Sequence, residues 1–203
     1  MISLYWLDCS PLYDSEELER VLPYLPEERR EKTLRLKTAE RRTQSAVAGL
    51  LLRHFFGDTT IVYGEHGKPY LADGSRHFSL SHSERYVVCA VSDGEIGVDI
   101  EPISPIRPAV LRRCFTDEEQ AWIGEDNERF TRLWTMKEAY MKMTGTGLSV
   151  PAKEISLSVP VNEDYDERNR CFWRFQALPF ITSVCADSSA HIEEVELNIK
   201  DLL

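Results

Sequence analysis

The chain has 203 residues, 42% hydrophobic and 29% charged, a balance that excludes a disordered or fibrous protein. Its net charge of −10 disfavours sequence-independent binding to nucleic acid, since that binding needs a positive surface to replace phosphate counterions. Apolar runs fall far short of the roughly 18 residues that a membrane span needs, and the first ten residues lack the basic start of a signal peptide. We therefore expect a cytoplasmic protein that binds neither nucleic acid nor membranes.

The chain is predicted to begin with one strand and three helices. Alternating apolar residues over 2–6 predict a strand with one buried face. Helices are predicted over 14–21 and 26–36, and a third runs from Thr38 with a 3.6-residue apolar period that stops at Gly57.

The stretch from Arg29 to Arg53, which we call the basic segment, departs from the acidic average. It has eight basic and two acidic residues, a net charge of +6, so the rest of the chain sums to −16. Such a reversal indicates a ligand or partner with concentrated negative charge. A solvated helix face is the alternative that charge alone leaves open.

From residue 60 the hydrophobic period changes to two. Asp73-Gly74 and Asp93-Gly94 are typical of tight hairpins, so the sequence predicts an antiparallel meander. Its strands are expected at 61–63, 76–80, 86–92 and 95–100.

A helical pattern resumes after the prolines that follow Glu101. Thr116 and Glu119 have the spacing of a capping box, and a strong helix over 130–144 is ended by Gly145. Strands are then predicted at 155–159, 171–178, 181–186 and 193–199. Because each half runs helices and then strands, we expect an α+β fold of two lobes, 1–101 and 102–203, with a cleft between them.

The five cysteines are odd in number, scattered and never in a Cys-x-x-Cys pair. This argues against a disulfide framework or a zinc site, and we expect reduced thiols that mostly serve packing. The cysteines are Cys9, Cys89, Cys114, Cys171 and Cys185.

Two carboxylates share one face of the strand that ends the first half. Side chains alternate along a strand, so Asp99 and Glu101 lie about 7 Å apart, opposite Val98 and Ile100. Carboxylate oxygens are ligands that Mg²⁺ takes from proteins. Ordinary surface polarity gives the same spacing, and both interpretations stay open.

The helix over 130–144 carries Trp134, Glu138 and Lys142 along one stripe, flanked by Lys137. A structural Glu–Lys pair beside a buried tryptophan accounts for this stripe. The functional alternative makes Glu138 a metal ligand or base and Lys142 a positive charge on a phosphate.

A third group combines a turn with the end of a strand. Gly67-Lys68-Pro69 forms the turn, and Ser81-His82-Ser83 supplies small hydroxyls and an imidazole that can approach a phosphate or a purine. Serine nucleophilic catalysis has little support, because the sequence contains no Gly-x-Ser-x-Gly motif.

Five motifs follow one another between residues 67 and 142. They are Gly67-Lys68-Pro69, Ser81-His82-Ser83, Gly97-Val98-Asp99-Ile100-Glu101, Phe115-Thr116, and Trp134-Thr135-Met136-Lys137-Glu138-Ala139 with Lys142. In this order they resemble the surfactin-type 4'-phosphopantetheinyl transferases. The resemblance implies a pseudo-dimer of two similar lobes, each with a small antiparallel sheet packed on helices, and coenzyme A in the cleft between them.

The activity that the resemblance implies is transfer of 4'-phosphopantetheine from coenzyme A to a serine of an apo carrier protein (acyl, peptidyl or polyketide), with release of 3',5'-ADP. Asp99, Glu101 and Glu138 would hold Mg²⁺ against the pyrophosphate. Lys142 would neutralise phosphate charge, and Glu138 would take the serine proton, directly or through water. Both lobes lie in one chain, as in monomeric relatives, so a monomer is expected.

The resemblance also implies a set of coenzyme A-binding residues. The 3'-phosphate would be gripped by Arg29, Lys32, Arg42 and His82, the adenine framed by Lys68, Pro69 and Ser81, and the phosphates contacted by Lys142. A non-catalytic coenzyme A binding or scaffold protein is the alternative, which the intact carboxylate set disfavours. A metal-dependent phosphoesterase is disfavoured by the lack of a histidine-rich or two-metal cluster in the sequence.

Three positions depart from the commonest pattern of the family. Ala139 replaces a frequent serine, Thr146 stands where many relatives have lysine, and Arg29 stands where a phosphate-gripping lysine often occurs. Glu119, which the family offers as a possible base or metal neighbour, also fits the capping box with Thr116, and we favour the cap.

Overall fold

The computed structural model describes residues 1–161, 170–174, 179–187 and 191–203 of the chain. The helices are α1 (Ser15–Val21), α2 (Glu27–Leu34), α3 (Ala39–Phe56), α4 (Pro108–Cys114), α5 (Asp117–Ile123) and α6 (Asn127–Thr144). The strands are β1 (Ile2–Asp8), β2 (Ile61–Tyr63), β3 (Pro69–Leu71), β4 (His77–Ser83), β5 (Tyr86–Ser92), β6 (Ile96–Pro102), β7 (Cys171–Arg174), β8 (Phe180–Ala186) and β9 (Ile192–Leu197). Short 3₁₀ turns cover Ser10–Tyr13, Leu22–Tyr24, Gly147–Ser149, Ala152–Glu154 and Ile199–Leu202.

Two small sheets form the framework. The first has the strand order β4-β5-β1-β9, in which β9 runs parallel to β1 and the other pairs are antiparallel. The second has the antiparallel order β6-β8-β7, and β2 and β3 form a separate hairpin. The fold is therefore of mixed α and β type, with small sheets packed on helices.

The apolar side chains gather in three core clusters. Leu4 of β1 and Val98 of β6 belong to a cluster shared by the two sheets. Leu7 of β1 packs with Leu50 of α3 in a second cluster, and Leu133 of α6 lies in the third, against the second sheet. Both faces of β1 are therefore covered, although the sequence predicted one buried face, because the strand lies between α3 and the second sheet.

The helix predictions are confirmed at the residues that mark their ends. The Asp14 side chain accepts the first N–H groups of α1, and the Thr38 side chain accepts the Arg41 N–H at the start of α3. α3 stops at Gly57, and α6 stops at Gly145, whose φ of 69° is left-handed. No helix in the described part of the chain is long and apolar enough to cross a membrane.

The predicted meander is wrong in its pairing. β4 pairs with β5 across Glu84 and Arg85, and β2 pairs with β3, so neither Asp73-Gly74 nor Asp93-Gly94 joins two paired strands within residues 60–102. β6 instead pairs with β8, and β9 returns to β1. Turn signals are local, whereas strand pairing depends on which apolar faces meet in the folded chain. Each of the two larger sheets therefore combines strands from before and after residue 101. The division into lobes 1–101 and 102–203 stays a prediction.

The strand predicted at 155–159 is wrong, because side chains take its backbone groups. The Ile155 carbonyl accepts from Lys137 Nζ at 2.7 Å, and the Leu157 N–H donates to Glu119 Oε1 at 2.8 Å. A backbone bonded in this way follows the side chains that hold it rather than a neighbouring strand.

The later strands agree with prediction where the structure describes them. β8 spans the predicted 181–186, and β9 covers most of 193–199 before the last residues turn into a 3₁₀ helix. β7 begins at Cys171 as expected, and residues 175–178 of that predicted strand lie outside the described residues.

One pair of cysteines contradicts the prediction of reduced thiols. Cys171 and Cys185 stand opposite each other on β7 and β8 and form a disulfide, an encounter that sequence spacing does not reveal. Cys9, Cys89 and Cys114 are free. Burial raises the pKa of the Cys9 and Cys89 thiols to about 12, so both behave as packing residues.

Candidate active site

Strand β6 presents Asp99 and Glu101 on one face, as the alternation predicts, with Asp99 buried and Glu101 half-buried. Serines of β4 hold both carboxylates. Ser81 Oγ donates to Asp99 Oδ1 at 2.8 Å, and Ser83 Oγ donates to Glu101 Oε2 at 3.4 Å. Two residues earlier, Ser79 Oγ accepts a backbone N–H of β6 at 3.0 Å. A row of alternate serines therefore joins the edges of the two sheets at the carboxylates.

Gly97 allows α6 to pass close to β6. A Cβ at Gly97 would lie 1.9 Å from the Ala139 carbonyl oxygen and 2.3 Å from the Met143 nitrogen. Any side chain would therefore push the helix away from the strand. The close approach brings Glu138 and Lys142 of α6 to the carboxylates of β6.

Lys142 forms a direct ion pair with Asp99. Its Nζ lies 2.7 Å from Asp99 Oδ1 and donates to Ser81 Oγ at 2.8 Å. The other carboxylate oxygen, Asp99 Oδ2, is buried and has no hydrogen-bond partner among the described residues. A buried carboxylate oxygen left without a partner is unfavourable, and a cation placed there would relieve it.

Glu138 and Glu101 share the electrostatic environment of this pair. Burial is the largest cause that raises the pKa of each carboxyl above the ordinary value of glutamate, and the charge of Asp99 is the next. Lys142 opposes both shifts, and Arg107 also opposes the shift of Glu101. The charges of Asp99 and Lys142 are therefore close enough to change the ionisation of both glutamates.

The residue chemistry fits a divalent cation. Carboxylate oxygens are the ligands that Mg²⁺ prefers. Asp99 has an oxygen without a hydrogen-bond partner among the described residues, and the nearby Glu101 and Glu138 carboxylates repel one another, which a cation would relieve. The side chains as placed do not form a group of three His, Cys, Asp or Glu ligands anywhere in the described ranges. The ligand set of Asp99, Glu101 and Glu138 thus stays a prediction.

A cavity of about 310 Å³ opens beside the two α6 side chains. The predicted residues that line it are Lys68, Pro69, Glu138 and Lys142. The Lys68 ammonium is already engaged, since it lies 2.5 Å from Glu95 Oε2 and donates to the Met143 carbonyl at 2.6 Å. Lys68 thus ties the β2–β3 hairpin to the end of α6, and it offers a ligand its stem and backbone rather than a free charge.

Arg29 and Lys32 line a different cavity, of about 300 Å³, between α2, the end of α3 and β2. Arg53 and Tyr63 share this cavity, and Lys32 Nζ lies 5.9 Å from the centre of the Tyr63 ring. The structure does not place these two cations in one cavity with the carboxylates.

Arg42 and His82 are not among the lining residues of either cavity. Arg42 Nε is buried and lacks a hydrogen-bond partner in the part of the chain that the structure covers. His82 is exposed, and partial loss of hydration and then the charge of Lys142 lower its pKa, with Asp99 in opposition. His82 therefore lies within electrostatic reach of the carboxylate site.

Lys137 and Glu119 form a second acid–lysine pair, fully buried in the α6 core. Lys137 Nζ lies 2.9 Å from Glu119 Oε2 and donates to the carbonyls of Ala152 and Ile155 at 2.9 and 2.7 Å. Burial lowers the pKa of Lys137. Glu119 and Thr116 form both hydrogen bonds of a capping box, so the interpretation of Glu119 as a helix cap is confirmed.

Trp134, on the Glu138 stripe, is half-buried, whereas the sequence analysis expected a buried tryptophan there. Its ring lies 6.4 Å from the Phe115 ring, centre to centre, and the Arg107 guanidinium lies 5.8 Å from the centre of the indole. Trp134 therefore lies at the edge of the α6 core, beside an exposed arginine.

The sequence singled out Ser83 and Gly97 but missed the roles that the structure gives them. Ser83 was expected to approach a phosphate or a purine, whereas it supports Glu101, and serines at every second position of β4 were a readable signal for this role. The close approach at Gly97 has no local signal, because it depends on where α6 passes in the folded chain.

Known proteins resemble this chain over most of its length. The profile of the 4'-phosphopantetheinyl transferase superfamily matches residues 95–191. The 4'-phosphopantetheinyl transferase Sfp of Bacillus subtilis is 33% identical over 163 residues, which cover 73% of this chain and 72% of that protein. The 4'-phosphopantetheinyl transferase psf-1 of Bacillus pumilus is 30% identical over 222 residues, with 97% and 94% covered. The chain therefore belongs to the 4'-phosphopantetheinyl transferase superfamily and is an enzyme of that transferase type.

Proposed function

We propose that this enzyme transfers 4'-phosphopantetheine from coenzyme A to a serine of an apo carrier protein and releases 3',5'-ADP. The serine oxygen forms a bond to the β-phosphorus, and the bond from that phosphorus to the oxygen of the departing 3',5'-ADP breaks. Such transfers depend on positioning and charge neutralisation. The observation that carries the proposal is the Lys142–Asp99–Ser81 contact beside two glutamates of raised pKa.

Asp99, Glu101 and Glu138 are the residues that would hold Mg²⁺. The unpartnered Asp99 Oδ2 and the mutual repulsion of the three carboxylates support this assignment. When bound, the cation supplies positive charge against the diphosphate of the donor. Ser81 and Ser83 would keep the β6 carboxylates oriented toward it.

Lys142 and Glu138 are the proposed catalytic residues. The Lys142 side chain is 32% exposed, so its ammonium can contact a phosphate while Asp99 holds it in place. It would neutralise charge on the leaving group. Glu138 would accept the serine proton, directly or through water, since a raised pKa makes its carboxylate a stronger base than an ordinary glutamate.

Coenzyme A would bind in the cavity beside Lys68 and Pro69, with its adenine against the β2–β3 hairpin. Ser81 accepts a hydrogen bond from Lys142, which lines this cavity, and would contribute to both the donor site and the support of Asp99. The 3'-phosphate would be bound by Arg29, Lys32, Arg42 and His82. Arg42 is the best supported of these, because its buried Nε lacks a partner within the described ranges.

The wider organisation belongs to the same proposal. The lobes 1–101 and 102–203 would form a pseudo-dimer with the donor in the cleft between them, and the enzyme would act as a cytoplasmic monomer. The net charge of −10 supports a protein that binds neither nucleic acid nor anionic membranes.

Mass spectrometry of the acceptor tests the function directly. The enzyme is incubated with coenzyme A, Mg²⁺ and an apo carrier, and the carrier should gain the mass of one phosphopantetheine group while 3',5'-ADP appears in equal amount. A carrier with its acceptor serine changed to alanine is the control. Tight coenzyme A binding without any mass gain on several unrelated carriers would favour the non-catalytic scaffold instead.

The variant Arg42→Ala tests the 3'-phosphate assignment. The KM for coenzyme A should rise by roughly tenfold or more, as expected for the loss of a hydrogen bond to a charged group, and the KM for the 3'-dephosphorylated analogue should change far less. Arg41→Ala, at an exposed neighbouring position, is the matched control. If Arg42→Ala raises the KM for both donors equally, Arg42 does not bind the 3'-phosphate.

A further inference from the structure

The two ends of the β2–β3 hairpin are held by different kinds of contact. β2 and β3 pair only with each other among the described strands, and a hairpin of three-residue strands has little stability of its own. At one end Leu71 is buried in the core, with Ile61 packed against the same cluster. The other end is the turn over residues 64–68, which contains no apolar side chain. The position of this turn therefore depends on polar contacts.

The side chain of Lys68 fastens the turn to the rest of the molecule. Its ammonium lies 2.5 Å from Glu95 Oε2, donates to the Met143 carbonyl at 2.6 Å and stands 5.1 Å from the centre of the Tyr70 ring. Because the Lys68 side chain is only 8% exposed, its charge needs a partner within the protein. Glu95 is the one acid within ion-pair distance of Lys68 in the part of the chain that the structure describes.

Glu95 is itself held in a defined orientation. It immediately precedes β6, the strand of Asp99 and Glu101. Its second oxygen, Oε1, lies 3.4 Å from His77 Nδ1 at the start of β4, so both carboxylate oxygens have a contact. The Lys68–Glu95 pair thus links the hairpin turn to β4 and β6, the strands that carry the serines and the carboxylates of the site.

The hairpin turn and the end of α6 meet beside the proposed donor cavity. A Cβ at Gly145 would lie 2.9 Å from Tyr70 Oη and 3.4 Å from Lys68 Cδ, so the hairpin packs directly on the residue that ends α6. The hydrogen bond from Lys68 to Met143 joins the same two segments. A displaced turn would therefore change the shape of the cavity. The residues that these two segments contribute to its lining are His66, Gly67, Lys68, Pro69, Met141, Lys142, Gly145 and Gly147.

We propose that Glu95 is a positioning residue for coenzyme A, which acts by holding the Lys68 ammonium so that the 64–68 turn stays against the end of α6. The inference rests on the proposed function, since the cavity is the one assigned to the donor. A preformed cavity binds its ligand more tightly, because less ordering is needed on binding. Without Glu95 the nearly buried ammonium loses its counter-charge, and the turn loses its fixed position.

Steady-state kinetics of Glu95→Gln test this role. The variant keeps the size of the side chain and removes its charge. The KM for coenzyme A should rise by roughly fivefold or more, as expected when a binding site is no longer preformed. The KM for the 3'-dephosphorylated analogue should rise by the same factor, because both donors share the adenine that is proposed to contact the hairpin. The kcat and the KM for the carrier should stay within about twofold of wild type.

The variant Lys68→Met, alone and combined with Glu95→Gln, shows whether Glu95 acts through Lys68. If it does, Glu95→Gln should add little to the rise in KM that Lys68→Met causes, since contacting residues are not additive. The matched control is Asp93→Asn. It removes an exposed acid two positions earlier, which lies 3.3 Å from Arg76 and 3.0 Å from the N-terminal amine, and its KM values should equal those of wild type.

A purely structural role is the alternative, because a cation on the Met143 carbonyl also stabilises the end of α6. A lower urea midpoint for Glu95→Gln with an unchanged KM for coenzyme A would assign Glu95 to that role and overturn the proposal. A rise in KM no larger than in Asp93→Asn, or effects of the Glu95 and Lys68 variants that simply add, would also overturn it. So would a lower KM, by showing that Glu95 keeps Lys68 away from the donor phosphates.

The proposed function and the role of Glu95 can fail separately. Absence of transfer by the wild-type enzyme would refute the function. The Kd of coenzyme A, measured by calorimetry on the wild type and Glu95→Gln, would still decide the role of Glu95: a weaker Kd in the variant supports it, and equal values overturn it.

Discussion

Helix α6 carries two lysines, each paired with an acid, in opposite environments. Lys137 and Glu119 are both fully buried, and Lys137 also donates to two backbone carbonyls. Lys142 is 32% exposed and borders a cavity, and its partner Asp99 retains a buried oxygen without a hydrogen bond among the described residues. We call Lys137–Glu119 the closed pair, because both side chains are buried and hydrogen-bonded. We call Lys142–Asp99 the open pair, because the lysine is partly exposed and one carboxylate oxygen has no described partner.

This difference separates a structural pair from the proposed catalytic pair, with the two lysines five positions apart on one helix. A closed pair fixes the segments that it joins, here α5, α6 and residues 152–157. An open pair keeps a charge and a ligand atom accessible to substrate and cation, at some loss of stability. We therefore expect changes at Lys137 to act on folding and changes at Lys142 to act on rate.

The largest effect on stability is expected for Lys137→Met. This variant leaves Glu119 buried without its cation, and breaking such a pair from one side destabilises by about 3–5 kcal/mol. Urea denaturation measures the loss as a lower transition midpoint. Lys153→Met is the matched control, because Lys153 is half-exposed and 3.7 Å from an exposed Asp117; its effect should stay below about 1 kcal/mol. Similar losses for both variants would contradict the closed-pair account.

Lys142→Met should act mainly on catalysis. The loss of a charge aimed at the transition state lowers kcat by about 10²–10³, or roughly 2.7–4 kcal/mol of barrier. The free energy of unfolding should fall less than for Lys137→Met, since Ser81 still donates to Asp99. Comparing kcat with the urea midpoint for the two variants separates the roles. A stable, fully active Lys142→Met enzyme would refute the catalytic assignment.

Gly97→Ala should disturb the open pair through the backbone. The added methyl would collide with the Ala139 carbonyl and the Met143 nitrogen, and overpacking of this kind destabilises by about 1–3 kcal/mol. The displaced helix would also carry Lys142 away from Asp99, so kcat should fall. Gly94→Ala, where a Cβ meets no atom within 4 Å, is the control. A Gly97→Ala enzyme with wild-type stability and kcat would show that the close packing of α6 against β6 is not required.

The smallest effect is a pH-dependent gain in stability for Glu138→Gln in metal-free protein. A carboxyl whose pKa is raised by folding stabilises the protein below its unfolded pKa, and that contribution is lost as the pH rises through the folded pKa. At neutral pH the ionised Glu138 repels Asp99 and Glu101, with Lys142 in partial compensation. At pH 7 the Tm of the variant should therefore lie about 2–4 °C above that of the wild type, as expected if about 1 kcal/mol is recovered. Around pH 4, where Glu138 is largely protonated, the two Tm values should nearly coincide.

Thermal melts at both pH values decide this prediction, with the exposed Glu118→Gln on α5 as control. A lower Tm for Glu138→Gln at pH 7 would mean that Glu138 stabilises the metal-free fold, contrary to an open site.

The sequence predicted what depends on local pattern. Thr38 and Gly57 set the limits of α3, and Thr116 with Glu119 set the start of α5, because caps act within a few residues. The register of Cys171 against Cys185 was not predictable, since it requires strands separated along the chain to meet. The family resemblance gave a role to Lys142 and none to Lys137, but helix spacing alone did not separate the two, because their difference comes from what packs around each ammonium.

An experimental structure with coenzyme A and Mn²⁺, located by its anomalous scattering, tests the central claim most directly. The account predicts one ion bound to oxygens of Asp99, Glu101 and Glu138, with the Lys142 ammonium on the donor diphosphate. An ion on the diphosphate that touches none of these three carboxylates would contradict it.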